Sequence, residues 1–383
     1  MFKAYLIWAG VILVLLSMVG FAGWMLALPA ATETAVAPAV PREEADAMLA
    51  SLRPMKRERP LIAVIGINNA TETTDYIVPT GILRRAGVAD VIMLAIDSGP
   101  VRLFPALTVE PDATIAQFDA AHPEGADFVI VPAMSRDDDP MALAWLWEQA
   151  KKGAKIIGIC AGAKVVGAAG LLNDKRATTH WYYLDEMLSH SPSIRYVPDR
   201  RMVADEGVVT TTGISASIPM MLTLIEAIAG RTKAESTARE LGVEQWSARH
   251  ASGTFRLTRP FARTVLANRL AFWNREDLGI RLQSGMDEVS LALVADAWSR
   301  TYRSHATSFA ASPEAVTTMN GVRIVPDKAE ADWPDSRQVS TFPDRKPAEA
   351  LDLTLDAIAT RLGLGTTDVV AMQLEYPRQT VGR

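Results

Sequence analysis

The stretch KIIGICAGAKVVGAAG, residues 155–170, decides the fold and holds the single cysteine of a 383-residue chain. Its β-branched start, KIIGIC, reads as a strand buried on both faces. The small residues behind it, AGAKVVGAAG, read as a helix that packs closely. Cys160 therefore stands where a parallel strand ends and a helix begins, the place where open α/β sheets collect ligands and chemistry. The surrounding Gly158-Ile159-Cys160-Ala161-Gly162 spells glycine-x-nucleophile-x-glycine, with cysteine as the nucleophile. The elbow glycines Gly158 and Gly162 suit a sharp turn in which side chains would collide with neighbouring backbone. A thiol at a helix N-terminus feels the positive end of the dipole, which predicts a lowered pKa and thiolate character. The competing reading is a small buried cysteine that only fills core space.

Working outward, strands and helices alternate. LIAVIGI (61–67), VADVIMLAI and DFVIVPAM (127–134) read as buried strands. TDYIVPTGILRRAG reads as a helix ended by Gly87, and PMALAWLWEQAKKGA as an amphipathic helix. VVTTTG (208–213) is a further short strand, and IPMMLTLIEAIAGR is a helix that closes the unit. The order predicts an α/β fold, a doubly wound and mostly parallel sheet with helices on both faces.

Residues 4–29 carry no charge, and about 20 apolar residues suffice to span a bilayer. A transmembrane anchor over 1–29 is expected, uncleaved and single-pass in the inner (cytoplasmic) membrane. The tether at 30–57 suits a domain held off the membrane, on the periplasmic side. Elsewhere the composition is that of a globular protein, 49% apolar and 22% charged. A formal net charge of −5 argues against a nucleic-acid surface spread over the whole protein. One cysteine excludes an internal disulfide framework, and the five histidines show no metal-ligand spacing. No metal and no cofactor are expected.

With the elbow placed, residues 58–235 resemble the DJ-1/PfpI family of the class I glutamine amidotransferase-like superfamily, whose sheet is flavodoxin-like. IIGICAGA is similar to the family elbow. AGLLNDKRATTHWYYLDEM is similar to the segment that carries a histidine near the thiol, here His180. That run resembles most the DJ-1/PfpI-type domain at the front of AraC-family regulators. TDYIVPTGILRRAG matches the helix that supplies an acid to the elbow, here Asp75, and GVVTTTGISASI the closing strand and turn.

The resemblance implies a site in which Cys160 attacks an electrophilic carbon, Asp75 hydrogen-bonds the sulfur or shuttles a proton, and His180 is a second acid or base. The backbone amides of Ala161 and Met134 would form an oxyanion hole. The sequence departs from the family at Pro132-Ala133-Met134, where Pro-Gly-Gly is usual. Ala161 replaces the histidine of the PfpI-type peptidases, so peptidase activity is not expected. Taken singly, Asp75 also reads as a helix N-terminal charge and His180 as a partner for loop backbone.

Residues 236–383 read as a degenerate, truncated α/β repeat. At a shift of 215, AASPEAVTTMNGVRIVPD (310–327) aligns without a gap on AIDSGPVRLFPALTVEPD (95–112), with four identities. DLGIRLQSGMDE (277–288) aligns on LIAVIGINNATE after one residue of slack, and TDVVAMQLEYP resembles the elbow strand. Ser290 then falls at the Asp75 position and Glu375 at the Cys160 position, so the copy has no chemistry of its own. An intramolecular pseudo-dimer or a homodimer is expected. The helix-turn-helix pair of AraC-type regulators is not found here, and no direct nucleic-acid binding is expected. Two function classes follow: an enzyme acting on a small electrophile (hydratase, hydrolase or glyoxalase-like lyase), or a non-catalytic sensor or regulator holding a ligand or an oxidisable thiol in the same pocket.

Overall fold

The expected strands line up as the middle of a seven-stranded sheet in the computed structural model, which describes residues 2–30 and 36–377, without the side chains of residues 2–7, 9–11 and 14. Leu61–Gly66 lies between Asp90–Ala95 and Phe128–Val131, parallel to both. Lys155–Gly158 and Val208–Thr211 extend the sheet in parallel, and Met202–Asp205 closes that edge antiparallel. Leu61–Gly66, Phe128–Val131 and Val208–Thr211 are buried along their whole length, as unbroken apolar runs in a sheet covered on both faces should be. The mostly parallel, doubly wound reading holds. The Thr73–Ala86 helix is stopped by Gly87, whose φ of 66° is left-handed.

The membrane expectation is corrected. Phe2–Ala27 is helical, but among the described residues no helix is long and apolar enough to cross a membrane. Neither the anchor at 4–29 nor the inner-membrane location is retained. The carboxyl end of this helix is bound to the body of the protein: Arg259 Nη2 donates to the carbonyls of Leu26 and Leu28, and the Arg259 amide to Pro29. Residues 31–35 of the tether lie outside the described residues, and Arg42–Ser51 is a short helix.

In the second half, Glu276–Arg281, Ser304–Ala310 and Lys328–Ala329 form a separate parallel sheet. The Glu288–Ser299 helix packs against the Thr73–Ala86 helix across the boundary between the halves. One element differs from the reading. Residues 367–377, expected as an elbow strand, belong to the Leu364–Gln373 helix and the turn that ends it. That turn is a Schellman motif, with Tyr376 N donating to Ala371 O and Glu375 N to Met372 O, and it gives Glu375 a φ of 49°. The segment's apolar residues are buried by packing against the Pro347–Leu362 and Arg259–Leu270 helices.

Positions 215 apart repeat the same local bonds. Glu72 caps one interface helix by accepting from Asp75 N (2.6 Å), and Asp287 caps the other by accepting from Ser290 N (2.7 Å). Asp112 accepts from Met93 N, and Asp327 from Ser308 N. Gly87 and Tyr302 are both left-handed. Thr108–Glu110 and Arg323–Val325 pair antiparallel about Val109↔Ile324, two residues related by that same shift.

Candidate functional site

The strand–helix junction at Cys160 has the strain expected of an elbow. Cys160 has a φ of 55°, a region that non-glycine residues occupy only when their surroundings hold them there. A Cβ on Gly162 would lie 2.0 Å from the Val131 carbonyl oxygen, so only glycine lets the turn approach the neighbouring strand. The turn is tied on both sides. Cys160 N donates to Thr211 Oγ1 (3.1 Å), and Thr179 Oγ1 donates to Cys160 O (3.1 Å).

Asp75 comes to this turn from the first turn of its helix. It is fully buried. Its Oδ2 accepts from Ala133 N (3.1 Å). Among the described residues Oδ1 has no partner at full hydrogen-bonding distance, and the Cys160 side chain is close enough to ease the charge on the carboxylate. Burial pushes Asp75 up to about 7, against the pull of the Ala133 amide and the Arg300 guanidinium. The cap Glu72 is raised as well, by burial first and then by Asp75 and Asp296, with Arg300 opposing.

The thiol departs from the helix-dipole expectation. Cys160 is buried, and desolvation pushes its pKa well above the usual range. The carboxylates of Asp75, Glu72 and Glu375 push the same way, and the Ala161 amide opposes them by bonding to the sulfur. The helix behind the thiol is only seven residues long, and its dipole is outweighed by burial beside three acids. Cys160 therefore rests as a protonated thiol beside an acid poised near neutrality.

Of the proposed oxyanion amides, that of Ala161 faces the sulfur. Met134 is buried and bridges antiparallel to Thr71, while its neighbour Ala133 has its amide committed to Asp75. Ala133, in place of the first glycine of Pro-Gly-Gly, thus holds the acid.

His180 is buried near the turn, with both ring nitrogens engaged elsewhere. Nδ1 accepts from Tyr182 N (3.2 Å), which makes Nε2 the donor to Gln373 O (2.9 Å). Burial lowers its pKa. It holds the carboxyl end of the second half against the first, and that bonding leaves neither nitrogen for the thiol. Glu375 reinforces the contact, accepting from Trp181 N (2.6 Å) and from Gly213 N, with His250 Nε2 at 4.0 Å.

Three groups escaped the sequence reading. Glu72 had a visible signal, an acid just before a helix. Arg300 and Asp296 had a weaker one, since Arg300 lies 215 after Arg85. Arg300 Nη2 binds Glu72 Oε1 (2.7 Å), and its Nε binds Asp296 Oδ2 (2.8 Å).

An acid on the first helix, a left-handed cysteine on the elbow and a closing strand behind it occupy the segment that the model of the DJ-1/PfpI family matches, residues 62–227. Residues 62–227 form a DJ-1/PfpI-family domain. This domain is 36% identical over 105 residues to an isonitrile hydratase of Pseudomonas putida, covering 27% of this chain and 44% of that protein. It is 26% identical over 174 residues to a Parkinson disease protein 7 homolog of Danio rerio (44% and 89%). It is 28% identical over 187 residues to the HTH-type transcriptional regulator CdhR of Pseudomonas aeruginosa (48% and 51%). The chain thus spans about half the length, or less, of the hydratase and the regulator it matches.

Proposed function

We propose that Cys160 adds to an electrophilic carbon of a small molecule, with Asp75 as its proton acceptor. The observation that carries this reading is the buried Asp75 carboxyl beside the Cys160 thiol at a strained elbow, the acid held at about 7. A group near neutrality is suited to take a proton and return it. The thiol proton passes to Asp75 as the sulfur–carbon bond forms. The displaced π electrons go to the substrate's oxygen or nitrogen, and Asp75 returns its proton to that atom in a carbonyl or nitrile and to the attacked carbon in an isonitrile. Water then replaces sulfur at that carbon, restoring the thiol, and the net change is hydration or hydrolysis without oxidation. Likeness to a hydratase supports this class.

The test is turnover of a panel of small carbonyl, nitrile and isonitrile compounds by the full chain. Cys160→Ala is expected to abolish turnover, and Asp75→Asn to slow it by about 10²–10⁴-fold. Turnover that survives Cys160→Ala would overturn the proposal.

A second reading is favoured by the burial of Cys160 and by the contacts that engage both nitrogens of His180. Here the same pocket holds a ligand or an oxidisable thiol without turnover, as befits a relative of a transcriptional regulator. Saturable ligand binding with no product from any compound of the panel would select it.

A further inference from the structure

We propose that residues 236–383 act as a built-in partner of the DJ-1/PfpI domain and supply Arg300 as a positioning residue for the Cys160–Asp75 pair. The inference rests on the reading of Cys160 as a reactive thiol. Its geometric basis is a pseudo-twofold relation at the boundary. The two interface helices pack on each other and exchange ion pairs, Arg85 with Asp287 and Arg300 with Glu72. Each member of one pair lies 215 residues from its counterpart in the other.

Only one of the two pairs leads to a nucleophile. Arg300 binds Glu72 Oε1, Glu72 Oε2 binds the Asp75 amide (2.6 Å), and the Asp75 side chain lies beside Cys160. At the other pair the equivalent chain ends on Ser290, through Asp287. The Arg300 pair has an added member as well. Asp296 binds Arg300 through both carboxylate oxygens, while the equivalent position in the first half is Gly81. The charged or titratable groups acting on Cys160 are Asp75, Glu72 and Glu375, the cation Arg300, and Tyr183. Arg300 is the one cation among these five, and it comes from the second half. Its charge holds the surrounding acids in place and stabilises a thiolate when one forms.

The test is the rate of iodoacetamide alkylation of Cys160 against pH, in the full chain. Arg300→Gln should move the midpoint up by about one unit, slowing alkylation roughly tenfold below the midpoint. Arg300→Lys should restore most of the rate. Arg85→Gln removes the pseudo-symmetric ion pair and should leave the profile within about twofold of the parent. If Arg300→Gln does not fold, Asp296→Asn decides with the opposite sign, because removing that acid should lower the midpoint. The proposal is overturned if the profiles of Arg300→Gln and Asp296→Asn superimpose on the parent, or if Arg85→Gln moves the profile as far as Arg300→Gln. An inert thiol in the parent protein would instead remove the reading of Cys160 itself, and this proposal with it.

Discussion

The two interface helices are built alike and end in different chemistry. Thr73–Ala86 is capped by Glu72 and carries Asp75 into the elbow of its own sheet. Glu288–Ser299 is capped by Asp287 and carries Ser290, whose buried Oγ has no hydrogen-bond partner among the described residues. Cap, register and ion pair are present in both, at the boundary where one half docks on the other. The acid and the thiol stand together only where a strand, an elbow and a helix lie behind them. Packing and reactivity are thus separable features of the same scaffold, and each can be attacked alone.

The largest effect should come from removing residues 236–383. The Thr73–Ala86 helix is buried except at Arg84 and Arg85, and without its partner it would expose an apolar face. The fragment 58–235 is expected to self-associate or aggregate in sedimentation experiments. A stable, soluble monomer that melts as the full chain does would break the comparison.

Next comes Asp75→Asn. Asp75 has a folded pKa of about 7 against an ordinary 3.8. The buried acid therefore costs no stability below about pH 4, and the fold weakens as pH rises through about 7. Removing the charge should stabilise the protein above pH 7, by at most about 4 kcal/mol, and leave stability at pH 4 nearly unchanged. Melting curves at several pH values check this, and destabilisation at pH 8 would contradict it. A smaller effect, of opposite sign, is expected from Gly81→Ala. The added Cβ would lie 2.6 Å from Glu288 Oε1, forcing the helices apart at a cost of about 1–3 kcal/mol at every pH. The smallest effect should be that of Ser290→Ala. Removing a hydroxyl without a partner should be neutral or stabilising by under about 1 kcal/mol, with no pH dependence. A pH-dependent change at Ser290 would mean that the second half retains a titrating site.

Much of this could be read in the sequence, where local rules suffice. The parallel strands, the glycine stop at Gly87 and the elbow at Cys160 follow from apolar runs and turn chemistry. The shift of 215 could be read too, because cap, hairpin and Pro-Asp positions keep their spacing. What escaped depends on neighbours distant in sequence. The Cys160 pKa follows from burial beside three acids, one of them 215 residues away. His180 matched a motif, yet its nitrogens are engaged by Tyr182 and by a carbonyl of the other half. Residues 367–377 have a strand's composition, yet they form a helix and turn packed against other helices, that of Arg259–Leu270 far away in the sequence. The anchor reading counted apolar residues along the chain, and the described helices do not sustain it.

The antiparallel pairing of Val109 with Ile324 joins two halves of one polypeptide. A pair of separate subunits obeys mass action and comes apart on dilution, whereas tethered halves meet at a fixed effective concentration. The melting temperature should therefore not vary with protein concentration. Two identical subunits must also carry every substitution twice, once on each side of their axis. Here the axis relates unlike residues, so Asp296 can bind Arg300 on the Cys160 side while Gly81 stays small opposite it, and each half can change without the other.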